Sequence, residues 1–283
     1  MKIAPIIILS LMMSACVTVT TNRADSVQSR AEAGNAESQY KMGLRYTNGQ
    51  GVRQDYAKAV KWFNEAAMQG HAGAQYFSGV AYNTGRGIRQ NHQTAAKLFV
   101  LAADQGHAKA QFQIGEAFIN GKGVKYDPRW ALRWYEMAAM QEHSGSMFML
   151  GVAYASGLGV KTNNMTAWKW LDLASLHKYP QADIARERVA SKMKKGQIRR
   201  AANNSASWKP VHSSMYANAP TVKYVQYGLK KLGYLKGKED GILGARSGSA
   251  VAKFRTDTGL IGGKGITPDM VMVLRKKLSG TGS

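Results

Sequence analysis

From residue 31 to residue 191 the apolar and small positions of the chain return every 36 residues. Aromatic rings stand at Tyr40, Tyr76, Phe112 and Phe148. Glycines stand at Gly43, Gly79, Gly115 and Gly151, and again at Gly51, Gly87, Gly123 and Gly159. Ala59, Ala95, Ala131 and Ala167 follow, then large apolar residues at Trp62, Leu98, Trp134 and Trp170, then small pairs such as Ala66-Ala67. A fixed period of this length marks a solenoid whose units bury their faces against one another. Each unit reads as two helices. The first spans residues 36–48 and is broken by "NGQG", because Gly49 and Gly51 tolerate positive φ. The second spans 56–69 and gathers Ala59, Trp62, Phe63 and Ala66 on one face at helical spacing. Gly43 and Ala59 are expected where the two helices cross, since a side chain there would push the backbones apart.

The same grid interprets the histidines. His71 and His107 occupy one register, with Asn35 and His143 beside them in the outer copies. An asparagine in the first copy shows that imidazole chemistry is not required there, so these residues belong to the turn between units.

The positions that the period leaves free point to binding. On the first helices they are Lys41, Phe77, Gln113 and Met149, then Leu44, Val80, Glu116 and Val152, with Glu37, Gly73, Lys109 and Gly145 one turn earlier. Steps of four and three place them on one stripe. Phe77, Val80, Met149 and Val152, beside Lys41 and Gln113, are unmatched by the repeat core, which suits a protein or peptide groove. Burial against the next repeat is the alternative, and the sequence leaves both open.

The repeat pattern "AxxQYxxGxxYxxGxGVxxDYxKAxxWxxxAAxxG", seen best over 36–70, resembles the Sel1-like repeat family, relatives of the tetratricopeptide repeats. The resemblance implies a right-handed α-solenoid of four 36-residue helix-turn-helix repeats over 31–191 that binds proteins, with the first helices on its concave face. A partial fifth unit, "QADIARERVASKMKK", reads as a terminal helix.

Past residue 191 the apolar stripe fails, and the basic, Ser- and Asn-rich stretch 192–219 reads as a linker. Beyond it, "VKYVQYGLKKLGYL", "EDGILGARSGSAVAKFRTDTGL" and "TPDMVMVLRKKL" read as three short helices. Val222, Gln226, Leu229, Leu232, Gly233, Asp240, Gly241, Gly244, Ala250, Val251 and Phe254 resemble the small three-helix peptidoglycan-binding domain, here over 220–279. Ser247 stands where that family has threonine, keeping a hydroxyl for the helix cap, and Arg255 where glutamine is common. The resemblance implies that peptidoglycan is held by Tyr234, Asp240, Arg246, Ser247 and Arg255. A ring there would stack on sugar, and cations would meet stem-peptide carboxylates.

The other end of the chain suggests where this happens. "MKIAPIIILSLMMSAC" has one lysine, a short apolar run and small residues before Cys16. The run falls short of the roughly 20 residues a membrane-spanning helix needs, and suits a secretory signal over 1–15. "MMSAC" resembles a bacterial lipobox, with Met13 where leucine is usual. It implies cleavage before Cys16, the single cysteine of the chain, and acylation of its thiol and amino group. Residues 16–30 would be a tether, and Val17 after the cysteine implies the periplasmic side of the outer membrane. The net charge of +22 is concentrated from Lys192 onward, where 18 Lys/Arg face 4 Asp/Glu. In an exported protein this points to wall polymer or lipid headgroups rather than nucleic acid.

No HxxEH or HExxH spacing occurs, His92, His177 and His212 are scattered, and the period explains Glu65, Glu116 and Glu136. No catalytic residue, metal or cofactor is expected. The expected function is a lipid-anchored, wall-binding scaffold for envelope proteins; display outward to bind a host protein is the alternative.

Overall fold

The computed structural model describes residues 27–210, 219–237 and 245–260, together with 270, 273–274 and 277–278. The signal, Cys16 and most of the tether lie outside the described residues. The chain divides into two compact units, one ending at Leu98 and the other starting at Phe99. Among the described residues every regular element is a helix.

In the first unit, residues 27–32 are helical, followed by α1 (Ala36–Asn48), α2 (Tyr56–Met68) and α3 (Ala72–Thr84). The division falls inside α4 (His92–Asp104). The second unit continues with α5 (Ala108–Asn120), α6 (Pro128–Met140), α7 (Ser144–Ser156), α8 (Asn164–Leu176), α9 (Ala182–Ala190), α10 (Lys195–Ala206), α11 (Ala219–Lys231) and α12 (Ala245–Asp257). First and second helices each recur every 36 residues, and neighbouring helices pack together within each unit. The fold is the all-α, repeated helix-turn-helix architecture that the period predicts.

Caps fix the helix ends. Asn35, His71, His107 and His143 are the N-caps of α1, α3, α5 and α7. Asp55, Asn91, Asp127 and Asn163 accept backbone N–H bonds at the start of the second helices. Such side chains satisfy donors that the helix itself leaves unpaired. Each first helix ends on a left-handed glycine, Gly49, Gly85, Gly121 or Gly157.

Where the paired helices approach, a large side chain fills the space that the glycine leaves. A Cβ on Gly43 would lie 2.4 Å from the Phe63 ring, on Gly115 2.5 Å from Tyr135, and on Gly151 2.5 Å from Leu171. The glycine therefore makes room for a large side chain four residues beyond Ala59 or its equivalents. At Gly151 the alanine register is close as well, with the Ala167 carbonyl at 3.2 Å.

In the first three repeats a buried amide ties the repeat to the helix before it. Gln39, Gln75 and Gln111 are buried, and their Nε2 atoms donate to the carbonyls of Ala31, Ala67 and Ala103 at 3.1–3.2 Å. Gln69 and Gln141, at the ends of α2 and α6, donate in turn to Gln39 and Gln111 at 2.7 and 2.8 Å. Because residues 27–32 supply Ala31, the last part of the expected tether already serves as the end of a preceding half-unit. In the fourth repeat Met147 takes the glutamine's place and is fully buried.

The expected linker also begins differently. α10 occupies 195–206 and packs Ile198, Ala201 and Ala202 against Trp168, Leu171 and Val189. Its apolar stripe is made almost wholly of alanine, too weak to register as a hydrophobic period. Asp172 of α8 holds the end of the array together: Arg186 of α9 donates to it at 2.7 Å, as does Ser205 of α10. Beyond residues 211–218, which lie outside the described residues, Val225 and Leu229 of α11 form a small core with Ala250, Val251 and Phe254 of α12 and with Met270 and Leu274.

Candidate functional site: the first-helix face

The capping histidines do more than start helices. Ala74 donates its backbone N–H to Nδ1 of His71 at 3.1 Å, which fixes that nitrogen as the acceptor. The Nε2–H is then left to donate to Glu37 of the preceding repeat at 3.0 Å. The imidazole also stacks on Tyr40, with ring centroids 4.5 Å apart. In the second unit His143 packs on Phe112 at 4.8 Å, and Tyr179, one period further, packs on Phe148 at 4.8 Å. The aromatic register of one repeat thus seats the cap of the next. Gly73 and Gly145 are small for the same reason, since a Cβ would meet the Tyr40 ring at 3.1 Å or the Phe112 ring at 3.4 Å.

Burial, reinforced by the nearby Lys109 charge, holds the pKa of His143 below its ordinary value of 6.5. The fold favours the neutral ring, which alone can accept from Ser146 N–H at 3.2 Å. With the folded value depressed, the unfolded chain binds more protons, so this contribution is complete above about pH 6.5 and shrinks as pH falls. His143→Asn, which keeps a capping acceptor as Asn35 does, should lower Tm less than the wild type between pH 7.5 and 5. Parallel thermal melts at the two pH values check this.

Of the stripe residues, Lys41 is exposed and pairs with Glu37 at 3.0 Å. Glu37 accepts from both His71 and Lys41, and these bonds, His71 first, hold its carboxyl below the usual range. Phe77 and Val80 in the first unit, and Gln113, Met149 and Val152 in the second, are half-buried. Phe77 stacks on Phe63 at 5.1 Å and touches Tyr40 at 6.0 Å, so it supports the core while showing one side to solvent. Phe77→Ala is expected to lower stability by about 2 kcal/mol, roughly half of a full-burial loss, in chemical denaturation. Glu116 is not a free groove carboxylate. Tyr135 donates to it, and burial first, then that bond, pushes the tyrosine hydroxyl far above its ordinary range.

Exposed apolar side chains that the repeat reading passed over lie elsewhere. Met68 is 81% exposed at the end of α2, and Leu176 and Ile184 are 67% and 62% exposed on α8 and α9. Met68 and Leu176 share a register, the last position of a second helix, which was the available signal.

In the C-terminal module, Tyr234 is half-buried and meets Phe254 edge-on at 5.3 Å. Burial and a hydrogen bond with Asp257 raise its hydroxyl pKa. Arg255, expected to face ligand, is 7% exposed and belongs to the interior. It stands next to Phe254 on the buried side of α12. α12 begins at Ala245, so Ser247 lies within its first turn. Arg246 shares that turn, and Asp240 lies outside the described residues. Tyr234 and Arg255 are thus the two of the five expected wall-binding residues whose side chains are described. Among the described residues no three His, Cys, Asp or Glu side chains converge to hold a metal, and no helix is long and apolar enough to cross a membrane.

The Sel1 repeat model matches residues 36–71, 72–107, 108–143 and 144–179, together just over half of the chain. The chain belongs to the Sel1 repeat family. Each match begins at the first residue of a first helix and ends on the N-cap register of the next unit, so the family's period and the observed caps coincide. A solved Sel1 repeat protein from Oxalobacter formigenes is 30% identical, with 64% of this chain and 76% of that one covered and a TM-score of 0.54. The structure of c5321, a protective antigen present in uropathogenic Escherichia coli strains and displaying an SLR fold, is 26% identical with a TM-score of 0.59. The likeness covers 92% of this chain, which spans 57% of the length of c5321. No protein with a curated description matches the chain. Sel1 repeat proteins are generally scaffolds for protein–protein interaction, and the repeats here present surfaces of that kind.

Proposed function

We propose that this Sel1 repeat protein is a lipoprotein of the outer membrane. It is acylated at Cys16, holds peptidoglycan through its C-terminal module and presents its repeats to a protein partner in the periplasm. The observation that carries the scaffold reading is the first-helix face. There Phe77, Val80, Met149 and Val152 remain half exposed although the repeat core is already closed by Phe63, Tyr135 and Leu171. The wall-binding part rests on the sequence resemblance over 220–279 and on Tyr234, and the anchor on the lipobox at the single cysteine.

The test uses the full chain, purified in detergent, with isolated sacculi at moderate salt. Cosedimentation is expected, weakened by Tyr234→Ala. Absence of pelleting, or pelleting only at low salt, would remove the wall-binding claim. Labelled palmitate should enter the wild type and not Cys16→Ala.

A second reading, display outward to engage a host protein, is favoured by the likeness to c5321, which is described as a protective antigen. Protease treatment of intact cells separates the two. Cleavage within the repeats supports display, and protection supports the periplasmic scaffold.

A further inference from the structure

The two ends of the helix pairs differ in charge. The loops joining first to second helices, residues 49–55, 85–91, 121–127 and 157–163, carry Arg53, Arg86, Arg89, Lys122, Lys125 and Lys161. Their only acids are Asp55 and Asp127, and both are occupied as helix caps, accepting backbone N–H bonds at 2.9–3.2 Å. At the opposite end, the turns 33–35, 69–71, 105–107 and 141–143 hold a single charged residue, Glu142, beside the capping histidines. A surface that was merely soluble would have no reason to sort its charge by register.

Backbone packing brings successive loops together. Gly87 has φ +76°, and a Cβ on it would lie 2.4 Å from the Tyr56 carbonyl, so the second loop rests directly on the start of α2, three residues from Arg53. Arg86 of that loop lies over the Tyr56 ring at 4.1 Å. In the second unit Gly159 repeats the arrangement, with Pro128 backbone 2.8 Å from its Cβ position and Lys125 three residues away. Arg53, Arg89, Lys125 and Lys161 hold the same loop position in the four repeats and are all exposed. None pairs with an acid among the described residues.

We infer that the loop edge of each unit is a cationic rail that binds a flexible linear polymer of phosphate groups, separately from the partner face on the first helices. A dense, flexible polyanion satisfies every cation of the rail in any register. A folded acidic protein presents its charges at fixed points, and a membrane would call for apolar side chains to insert, of which the loops expose only Tyr126 among large hydrophobics. Binding through such contacts releases counterions and weakens steeply with salt.

The test titrates the full chain with long-chain inorganic polyphosphate across a salt series. The variant Arg53→Gln, Arg89→Gln, Lys125→Gln, Lys161→Gln is compared with Lys192→Gln, Lys194→Gln, Arg199→Gln, Arg200→Gln, which removes equal charge from the α9–α10 end. The rail variant should lose about tenfold or more in affinity near 0.1 M salt. Its salt slope should fall by about 1.5 for the two cations lost from each unit's rail, at roughly 0.7–0.9 per contact, while the control loses about two- to threefold. Should the fourfold variant melt early, Arg89→Gln and Lys161→Gln alone, each expected to lose about two- to threefold, carry the comparison. Equal losses in rail and control variants would overturn the proposal in favour of net charge. Tighter rail-dependent binding to polyglutamate would overturn it in favour of an acidic protein, and rail-dependent binding to phosphatidylglycerol vesicles without polyphosphate binding in favour of a membrane.

Discussion

Gly87→Ala should destabilise the protein by roughly 2–5 kcal/mol, whereas Gly51→Ala, one period earlier, should cost only about 1–2 kcal/mol. Both glycines have left-handed backbones, with φ of +76° and +71°, so both substitutions carry the same conformational cost. They differ in what the new methyl group meets. Nothing beyond its chain neighbours lies within 4 Å of the Cβ position at Gly51, but the methyl at residue 87 would enter the Tyr56 carbonyl at 2.4 Å. That contact is backbone on backbone and cannot be relieved by a rotamer change. The difference between the two variants in urea denaturation therefore isolates how tightly the second loop seats on the first repeat. Equal losses would mean that the loops are not in register-specific contact.

Gln111→Ala is the second large effect, expected at about 2–3 kcal/mol. The side chain is 1% exposed, donates to Ala103 and accepts from Gln141. Truncation opens a cavity and strands the Gln141 amide at once. Gln111→Met should cost only about 1 kcal/mol, because Met147 fills the equivalent site in the fourth repeat without any amide. Denaturant melts of both variants decide the point. If methionine costs as much as alanine, the hydrogen bonds, not the volume, dominate this site.

Much of this architecture is legible in the sequence because a repeat prints its constraints four times. The break at Gly49, the extents of α1 and α2 and the turn register of His71 all follow from comparing copies. What the copies conceal is which atoms meet. The Gly43–Phe63 contact involves residues that are each conserved in size, so the period alone pairs Gly43 equally well with Ala59. The N-cap role of His71 is invisible too, since histidine and asparagine share only an acceptor at the right distance. Outside the repeats there is no second copy to consult. The alanine stripe of α10 and the burial of Arg255 could not be anticipated from composition, because small residues and long amphipathic ones carry little signal about which side of a helix faces in.

The nesting of Gly87 on the start of α2, and of Gly159 on the start of α6, sets the rise between those repeats by main-chain dimensions rather than by side-chain size. Such a molecule can be lengthened like a ladder. Duplicating residues 72–107 in tandem should yield a longer folded protein, while adding one residue between Gly85 and Asn91 should unseat the rung above it.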